Sequence, residues 1–185
     1  MDAPLNSQTS EFLMLDYAAG NADAFTALYG MHKGPLFRFL LRQGLNRARA
    51  DEMFQEVWLK VINARENYQR SARFQTWLYT IARNLVIDEY RQNGKAEIVE
   101  LLEEHSDTTE VSALDENIDR ERKQKDILSS VEALPFEQRQ AFLLRYEAGL
   151  NSADIAQITG TNLETAKSRV RYAIKQLRMK LGGSQ

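Results

Sequence analysis

Apolar residues recur along this chain at helical intervals of three and four. Phe25, Leu28 and Tyr29 sit at i, i+3, i+4, and Leu36, Phe39 and Leu40 repeat that spacing. Met53, Val57, Trp58 and Val61 follow, then Phe74, Trp77, Leu78, Ile81 and Leu85. Each set places one apolar stripe along one side of a helix. No segment alternates apolar and polar residues as a half-buried strand would. Gly20-Asn21, Lys33-Gly34-Pro35 and Gly44-Leu45-Asn46 read as turns between the stripes. Four or five helices are therefore predicted over residues 11–92, with the prolines at helix starts or in loops. The pattern lapses at Asn93-Gly94-Lys95 and resumes from Ile127 to Leu181. The expected fold is all-α: two small helical domains, 10–92 and 125–182, joined by a flexible acidic linker over 93–124.

Charge sharpens this division. The net charge of −2 over 185 residues conceals an acidic middle and a basic end. Residues 97–121 hold ten acidic side chains against one basic, whereas 160–181 hold six basic against one acidic. The absence of cysteine excludes disulfides, thiolate zinc sites and cysteine nucleophiles, and suits a reducing compartment. The amino-terminal residues contain no basic patch followed by an apolar run. No stretch approaches the roughly 20 apolar residues of a membrane span. A cytoplasmic protein with no membrane insertion is expected.

The basic end carries the most specific local pattern. Asn151 is placed to cap a helix over Ser152–Thr159, with Asp154 three residues on to complete a reciprocal cap. That helix carries Ile155, Ala156 and Ile158. Gly160 can take the positive φ that ends it sharply, and Asn162 can cap the next helix, which opens Leu163-Glu164-Thr165-Ala166-Lys167-Ser168-Arg169. Two helices joined by a short glycine-containing turn, with a small residue at the crossing and cations early in the second helix, form a helix-turn-helix suited to duplex DNA. A plain helical hairpin with a solvated basic face is the alternative.

The first half mixes two surfaces. Asp51 to Lys60 combines an apolar stripe with acidic and amide residues, as any amphipathic helix does. Phe74 to Arg91 interleaves aromatics, arginines and an asparagine, a combination that suits single-stranded DNA because unstacked bases need π-faces and phosphates need charge. Trp77 and Ile81 are expected in the core, and Phe74, near the helix start, at the surface.

These blocks resemble the extracytoplasmic-function (ECF) group of sigma-70 RNA polymerase sigma factors. Leu134-Pro135 through Lys167-Ser168-Arg169 to Leu177 is similar to region four, with Thr161 and Ala166 where the family usually has larger apolar residues. Gln55-Glu56-Val57 and the stretch from Phe74 through Trp77-Leu78-Tyr79 and Ile81-Ala82-Arg83-Asn84 to Arg91 are similar to region two. The resemblance covers both domains in order. It implies a sigma factor with no catalytic residue, no cofactor and no metal. It implies docking on the clamp of the polymerase largest subunit through Asp51, Glu52, Gln55, Glu56 and Leu59, and a contact of the second domain with the flap of the second-largest subunit. It implies −10 recognition and melting through Arg73, Phe74, Arg83, Asn84, Asp88 and Arg91, where asparagine offers a flipped base both donor and acceptor. It implies −35 recognition in duplex DNA through Glu164, Thr165, Lys167, Ser168, Arg169, Arg171, Tyr172 and Lys175. An anti-sigma partner is implied, and the free chain is expected to be a monomer.

Other classes fit less well. A repressor using the same helix-turn-helix would need a dimerising or ligand-binding first domain, which the Gln55-Glu56-Val57 and Trp77–Asn84 blocks do not suggest. A sigma-like mimic would not need both DNA-reading sets. For an enzyme, the two histidines, His32 and His105, stand in unrelated contexts. Glu103, Glu104, His105 and Asp107 read as a solvated loop rather than a metal site, and no phosphate loop or nucleophile triad is visible. The acidic linker reads equally as a nucleic-acid mimic near the polymerase RNA channel or as a simple tether.

Overall fold

A computed structural model describes residues 9–68, 73–92 and 125–182. The expectations for the acidic linker and for the residues around His105 lie outside these segments. The helices are α1 (Ser10–Ala18), α2 (Ala22–Leu41), α3 (Arg47–Asn63), a 3₁₀ turn (Arg65–Asn67), α4 (Phe74–Gln92), a helical stretch over 125–132, α5 (Phe136–Tyr146), α6 (Ser152–Thr159) and α7 (Leu163–Gly182). No strand occurs among the described residues.

Local chemistry sets several helix starts. The Asn21 side chain accepts from the Asp23 and Ala24 backbone N–H groups at 3.1 and 3.4 Å, capping α2. Asn46 does the same for α3, accepting from Arg49 N–H at 2.8 Å. The start of α4 is capped from outside, because Phe74 N–H donates to Glu11 Oε1 of α1 at 2.9 Å. Burial raises the Glu11 carboxyl, but this hydrogen bond leads the opposing contributions that hold it below its ordinary value.

One predicted turn is absent. Lys33-Gly34-Pro35 does not break the chain, and Pro35 lies inside α2. An interior proline removes one helix hydrogen bond and costs about 3 kcal/mol or more. Burial on both sides of the break outweighs that cost: Leu28, His32, Leu36, Phe39 and Leu40 of α2 are all buried, and large apolar side chains contribute roughly 1.5–3 kcal/mol each on burial.

Helices α1–α4 form a first bundle around Leu13, Met14, Leu28, Phe39, Met53, Val57, Trp58, Leu78, Tyr79 and Val86. An aromatic group extends it outward, with Tyr29 and Trp58 rings 4.9 Å apart and Phe25 edge-on to Trp58 at 5.8 Å. Helices α5–α7 form a second bundle around Leu143, Leu144, Ile155, Ile158, Ala166, Ala173 and Leu177. The two apolar centres join into one cluster, and α6 packs directly on α4.

His32 makes this fold sensitive to acid. It is buried in α2, with Nε2 2.7 Å from Ser10 Oγ and its ring 5.2 Å from that of Phe74. Burial pushes its pKa from 6.5 to about 4, against an opposing pull from Glu11. The unfolded chain therefore binds the proton more readily than the folded one. The stability is complete above the unfolded value and falls as pH drops from 6.5 towards 4. At about 1.4 kcal/mol per unit the total loss is about 3 kcal/mol. Urea midpoints at pH 7.5 and 5 are expected to diverge more in the wild type than in His32→Gln. Parallel pH dependence in the two proteins would assign the effect elsewhere.

Candidate polymerase and nucleic-acid interfaces

The outer face of α3 carries the whole predicted polymerase set. Asp51, Glu52, Gln55 and Leu59 are exposed and Glu56 half-buried, opposite the core residues Met53, Val57, Trp58 and Val61. Leu59, 56% exposed, supplies an apolar centre to an otherwise acidic rim. Arg49 organises that rim. Its Nη1 lies 2.9 Å from Glu52 Oε2 and 3.3 Å from Glu56 Oε1, while its Nε donates to Glu89 Oε2 of α4 at 2.8 Å. This strut from α3 to α4 was not signalled by helix periodicity, because Glu89 is forty residues away.

The predicted −10 set divides in two. Asn84, Asp88 and Arg91 are exposed at i, i+4, i+7 along α4, and Arg73 is exposed just before the helix. Phe74 is not at the surface as expected: it is completely buried, with Tyr68 and Trp77 rings 6.2 and 6.0 Å away. Helix α1 and the 3₁₀ segment close over the start of α4, so this ring is core and offers no face to a base in this conformation. Trp77 and Ile81 are half-buried against the same core. Arg83 is also buried, at 8% exposure.

The helix-turn-helix is formed by α6 and α7. Asn151 accepts from Asp154 N–H at 2.9 Å and Asn162 from Thr165 N–H at 2.8 Å. The reciprocal half of the first cap is absent, because the Asp154 carboxylate points across to α4. Glu164, Lys167, Arg171, Tyr172 and Lys175 are exposed on α7, and Thr165, Ser168 and Arg169 are half-buried. Lys167 Nζ donates to Glu164 Oε1 at 2.8 Å and holds that carboxyl below its ordinary value. The Arg171 guanidinium lies 5.4 Å from the centre of the Tyr172 ring. Ala166 is fully buried, and the Thr161 and Thr159 hydroxyl oxygens are 3.0 Å apart, so the hydroxyl at 161 has a polar partner in the turn.

Gly160 ends α6 at φ 65°, and a Cβ there would meet nothing within 4 Å. The cost of Gly160→Ala is therefore backbone strain alone, about 1–2 kcal/mol. A urea titration is expected to show this loss. Stability equal to wild type would mean that the turn readjusts to negative φ.

A polar seam joins the bundles, and the sequence did not reveal it. Glu137, in the first turn of α5, accepts from Arg83 Nη2 at 3.0 Å and lies 2.9 Å from Arg169 Nη1. Asp154 accepts from Thr76 Oγ1 at 3.3 Å and lies 3.5 Å from Arg73 Nη1. Glu147 pairs with Arg38, at 2.7 Å, and with Arg42. Tyr90 donates to the Gln43 carbonyl and accepts from Arg139, and the Gln43 and Gln140 side chains hydrogen-bond in full burial. Burial lowers the Arg83 guanidinium from its ordinary value while Glu137 opposes that shift.

Residues 28–96 match the family model described as Sigma-70 region 2, and residues 124–177 that described as Sigma-70, region 4. The ECF RNA polymerase sigma factor SigL of Mycobacterium tuberculosis is 33% identical over 165 residues, which is 89% of this chain and 92% of that protein. The chain belongs to the ECF sigma factors of the sigma-70 family. RNA polymerase sigma factor CarQ of Myxococcus xanthus is 29% identical over 163 residues, 88% of this sigma factor and 92% of CarQ. Two solved structures share the fold. CnrH in complex with the cytosolic domain of CnrY aligns at TM-score 0.72 and 18% identity over 96% of this chain and 100% of that one. The sigma factor RpoE in complex with the anti-sigma factor NepR from Bartonella quintana aligns at TM-score 0.67 and 22% identity over 87% and 98%.

As an ECF sigma factor the protein is a DNA-binding regulator of transcription. The region 2 match takes in most of α2 and all of α3 and α4, with the acidic face of α3, and the region 4 match takes in α5, α6 and most of α7. Among the described residues, no helix is long and apolar enough to cross a membrane, and no cluster of His, Asp or Glu is placed to hold a metal ion.

Proposed function

We propose that this sigma factor works in the cytoplasm, docking on the clamp of core RNA polymerase through Asp51, Glu52, Gln55, Glu56 and Leu59. It then reads a −10 element with Arg73, Arg83, Asn84, Asp88 and Arg91 and promotes melting there. Phe74 joins this set only if α1 withdraws from the start of α4. In α7, Glu164, Thr165, Lys167, Ser168, Arg169, Arg171, Tyr172 and Lys175 read a −35 element in the major groove. The reading also has the second bundle touching the polymerase flap, and the free chain monomeric. The observation that carries it is the capped helix-turn-helix with an open basic face on α7, joined in one chain to the exposed acidic and apolar face of α3. One face suits phosphates and base edges; the other suits a protein contact with a small apolar centre and polar rim.

Regulation by an anti-sigma protein belongs to the same proposal. RpoE is seen with the anti-sigma factor NepR, and CnrH with the cytosolic domain of CnrY. The division of the chain at 10–92, 93–124 and 125–182 follows the lapse in apolar pattern and the acidic run.

The test is in vitro transcription with purified sigma factor, core polymerase and a fragment library of the source genome. The expected result is a set of transcripts starting at a fixed distance from a shared bipartite motif. Tight polymerase-independent binding to a symmetric duplex site, with no transcripts, would overturn it in favour of a repressor.

A further inference from the structure

We propose that Glu11 is a positioning residue for promoter reading: it caps α4 in place of Arg73, whose side chain is thereby kept for the −10 element. This rests on the −10 set proposed above and adds to it a residue that itself touches no DNA.

A helix start has N–H groups without intrahelical partners, and the residue just before it commonly supplies a short oxygen-bearing side chain to one of them. Asn21, Asn46, Asn151 and Asn162 do so for α2, α3, α6 and α7. α5 begins after Pro135 and has no capping side chain. α4 has one, but it comes from another helix. The Arg73 carbonyl accepts from Trp77 N–H at 3.1 Å, which is the first helical bond of α4, so Arg73 stands at the capping position. An arginine side chain carries donors and no acceptor, and cannot cap. Glu11 Oε1 accepts from Phe74 N–H instead, at 2.9 Å and across 63 residues of chain. A local rule that is broken and then compensated from elsewhere in the fold marks a position held for function. Here the position goes to a cation whose side chain is 66% exposed, although it lies 3.5 Å from Asp154.

The helix that supplies the cap is firmly held. Leu13 and Met14 of α1 are completely buried, and Ser10 Oγ lies 2.7 Å from His32 Nε2 of α2. α1 packs on α2 and on α4 itself. The Glu11 carboxylate therefore has a fixed place relative to both. It anchors the Phe74 N–H, which belongs to the peptide bond joining Arg73 to α4, and so sets the direction in which the arginine leaves the helix. The same carboxylate fills the positive end of α4, where a phosphate would otherwise settle. Arg73 is then the cationic donor at this end of the helix. Phosphate contacts carry no sequence information, whereas an arginine held in one direction can read a base edge.

The experiment uses the full chain with core polymerase, on the promoter found by the transcription test and on single-base variants of its −10 element. Transcription from the parent promoter relative to each variant gives the discrimination at each position. Glu11→Ala is expected to keep core affinity and to lose roughly fivefold or more of the discrimination at one position, the same position at which Arg73→Ala loses it. Glu11→Gln keeps an acceptor oxygen and is expected to discriminate as the wild type does. Asn21→Ala removes a cap of the same kind from α2, outside every proposed set. It is expected to lower the urea midpoint as Glu11→Ala does while leaving discrimination intact. Wild-type discrimination in Glu11→Ala, or an equal loss in Glu11→Gln or Asn21→Ala, overturns the proposal and leaves the −10 reading standing. Discrimination in the wild type that Arg73→Ala does not alter overturns the role of Arg73 itself, and the proposal with it. A second arm reads stability alone. Arg73→Ser supplies a local cap, so Glu11→Ala is expected to lower the urea midpoint less in the Arg73→Ser background than in the wild type. Equal losses in the two backgrounds overturn the delegated cap.

Discussion

Replacing Phe39 by alanine is expected to lower the unfolding free energy by about 3–5 kcal/mol, the usual loss when a buried aromatic is truncated. Phe39 is completely buried where α2 faces α4, and its ring meets that of Tyr79 edge-to-face at 5.3 Å. Truncation removes the apolar burial and that contact, and it leaves a cavity that two long helices cannot close without moving. Small proteins are stable by only about 5–15 kcal/mol, so this one change removes a large share. A chain of this length loses about 2–4 °C of melting temperature per kcal/mol, so Tm falls by roughly 10 °C. The control is Met31→Ala on the same helix, where the side chain is 42% exposed and the change is expected within about 0.5 kcal/mol. A loss below about 1 kcal/mol for Phe39→Ala, read from urea titrations followed by circular dichroism, would show that α2 is not packed on α4 as described.

The second large effect is on binding rather than stability. Leu59→Asp is expected to weaken association with core polymerase by at least about tenfold, as removal of a central apolar anchor does. Leu59 is 56% exposed, so more than half of its surface is open to a partner. It lies one turn beyond Gln55, on the same outward face as Glu52 and Glu56. An apolar side chain at the centre of a polar rim contributes most when a partner excludes water from it. The substitution should leave the urea midpoint within about 0.5 kcal/mol of wild type, which separates lost docking from lost folding. Lys60→Ala, also exposed but outside the proposed set, serves as the comparison. Unchanged polymerase affinity in Leu59→Asp would move the docking surface away from α3.

The two effects mark out different parts of one design. Phe39 and Tyr79 hold α2 against α4, and α4 in turn carries both the exposed Asn84, Asp88 and Arg91 and the covered Arg83. Arg49 ties the acidic face of α3 to the same helix through Glu89. A change in how α4 sits would therefore be felt at the proposed polymerase face and at the proposed DNA face together.

Much of this was determined by the sequence itself. The bounds of α6, its Asn151 cap, the left-handed Gly160 and the Asn162 cap of α7 all follow from residues within a turn of one another, where local hydrogen bonding and backbone sterics dominate. The outward face of α3 was legible for the same reason, since a stripe at helical spacing also defines the opposite side. Tertiary structure decided the rest. Pro35 stays inside α2 because burial along both halves of that helix outweighs a lost hydrogen bond. Phe74 turns inward because Glu11, 63 residues earlier, caps α4 and brings α1 over it. Asp154 leaves its own helix cap for Thr76, 78 residues away. Glu137, which in sequence is an ordinary acid at a helix start, becomes the shared partner of Arg83 and Arg169. Pairings across such separations leave no periodic trace in the chain. They arise only when two independently patterned bundles bring complementary charges to the same surface, and that outcome depends on how the bundles pack.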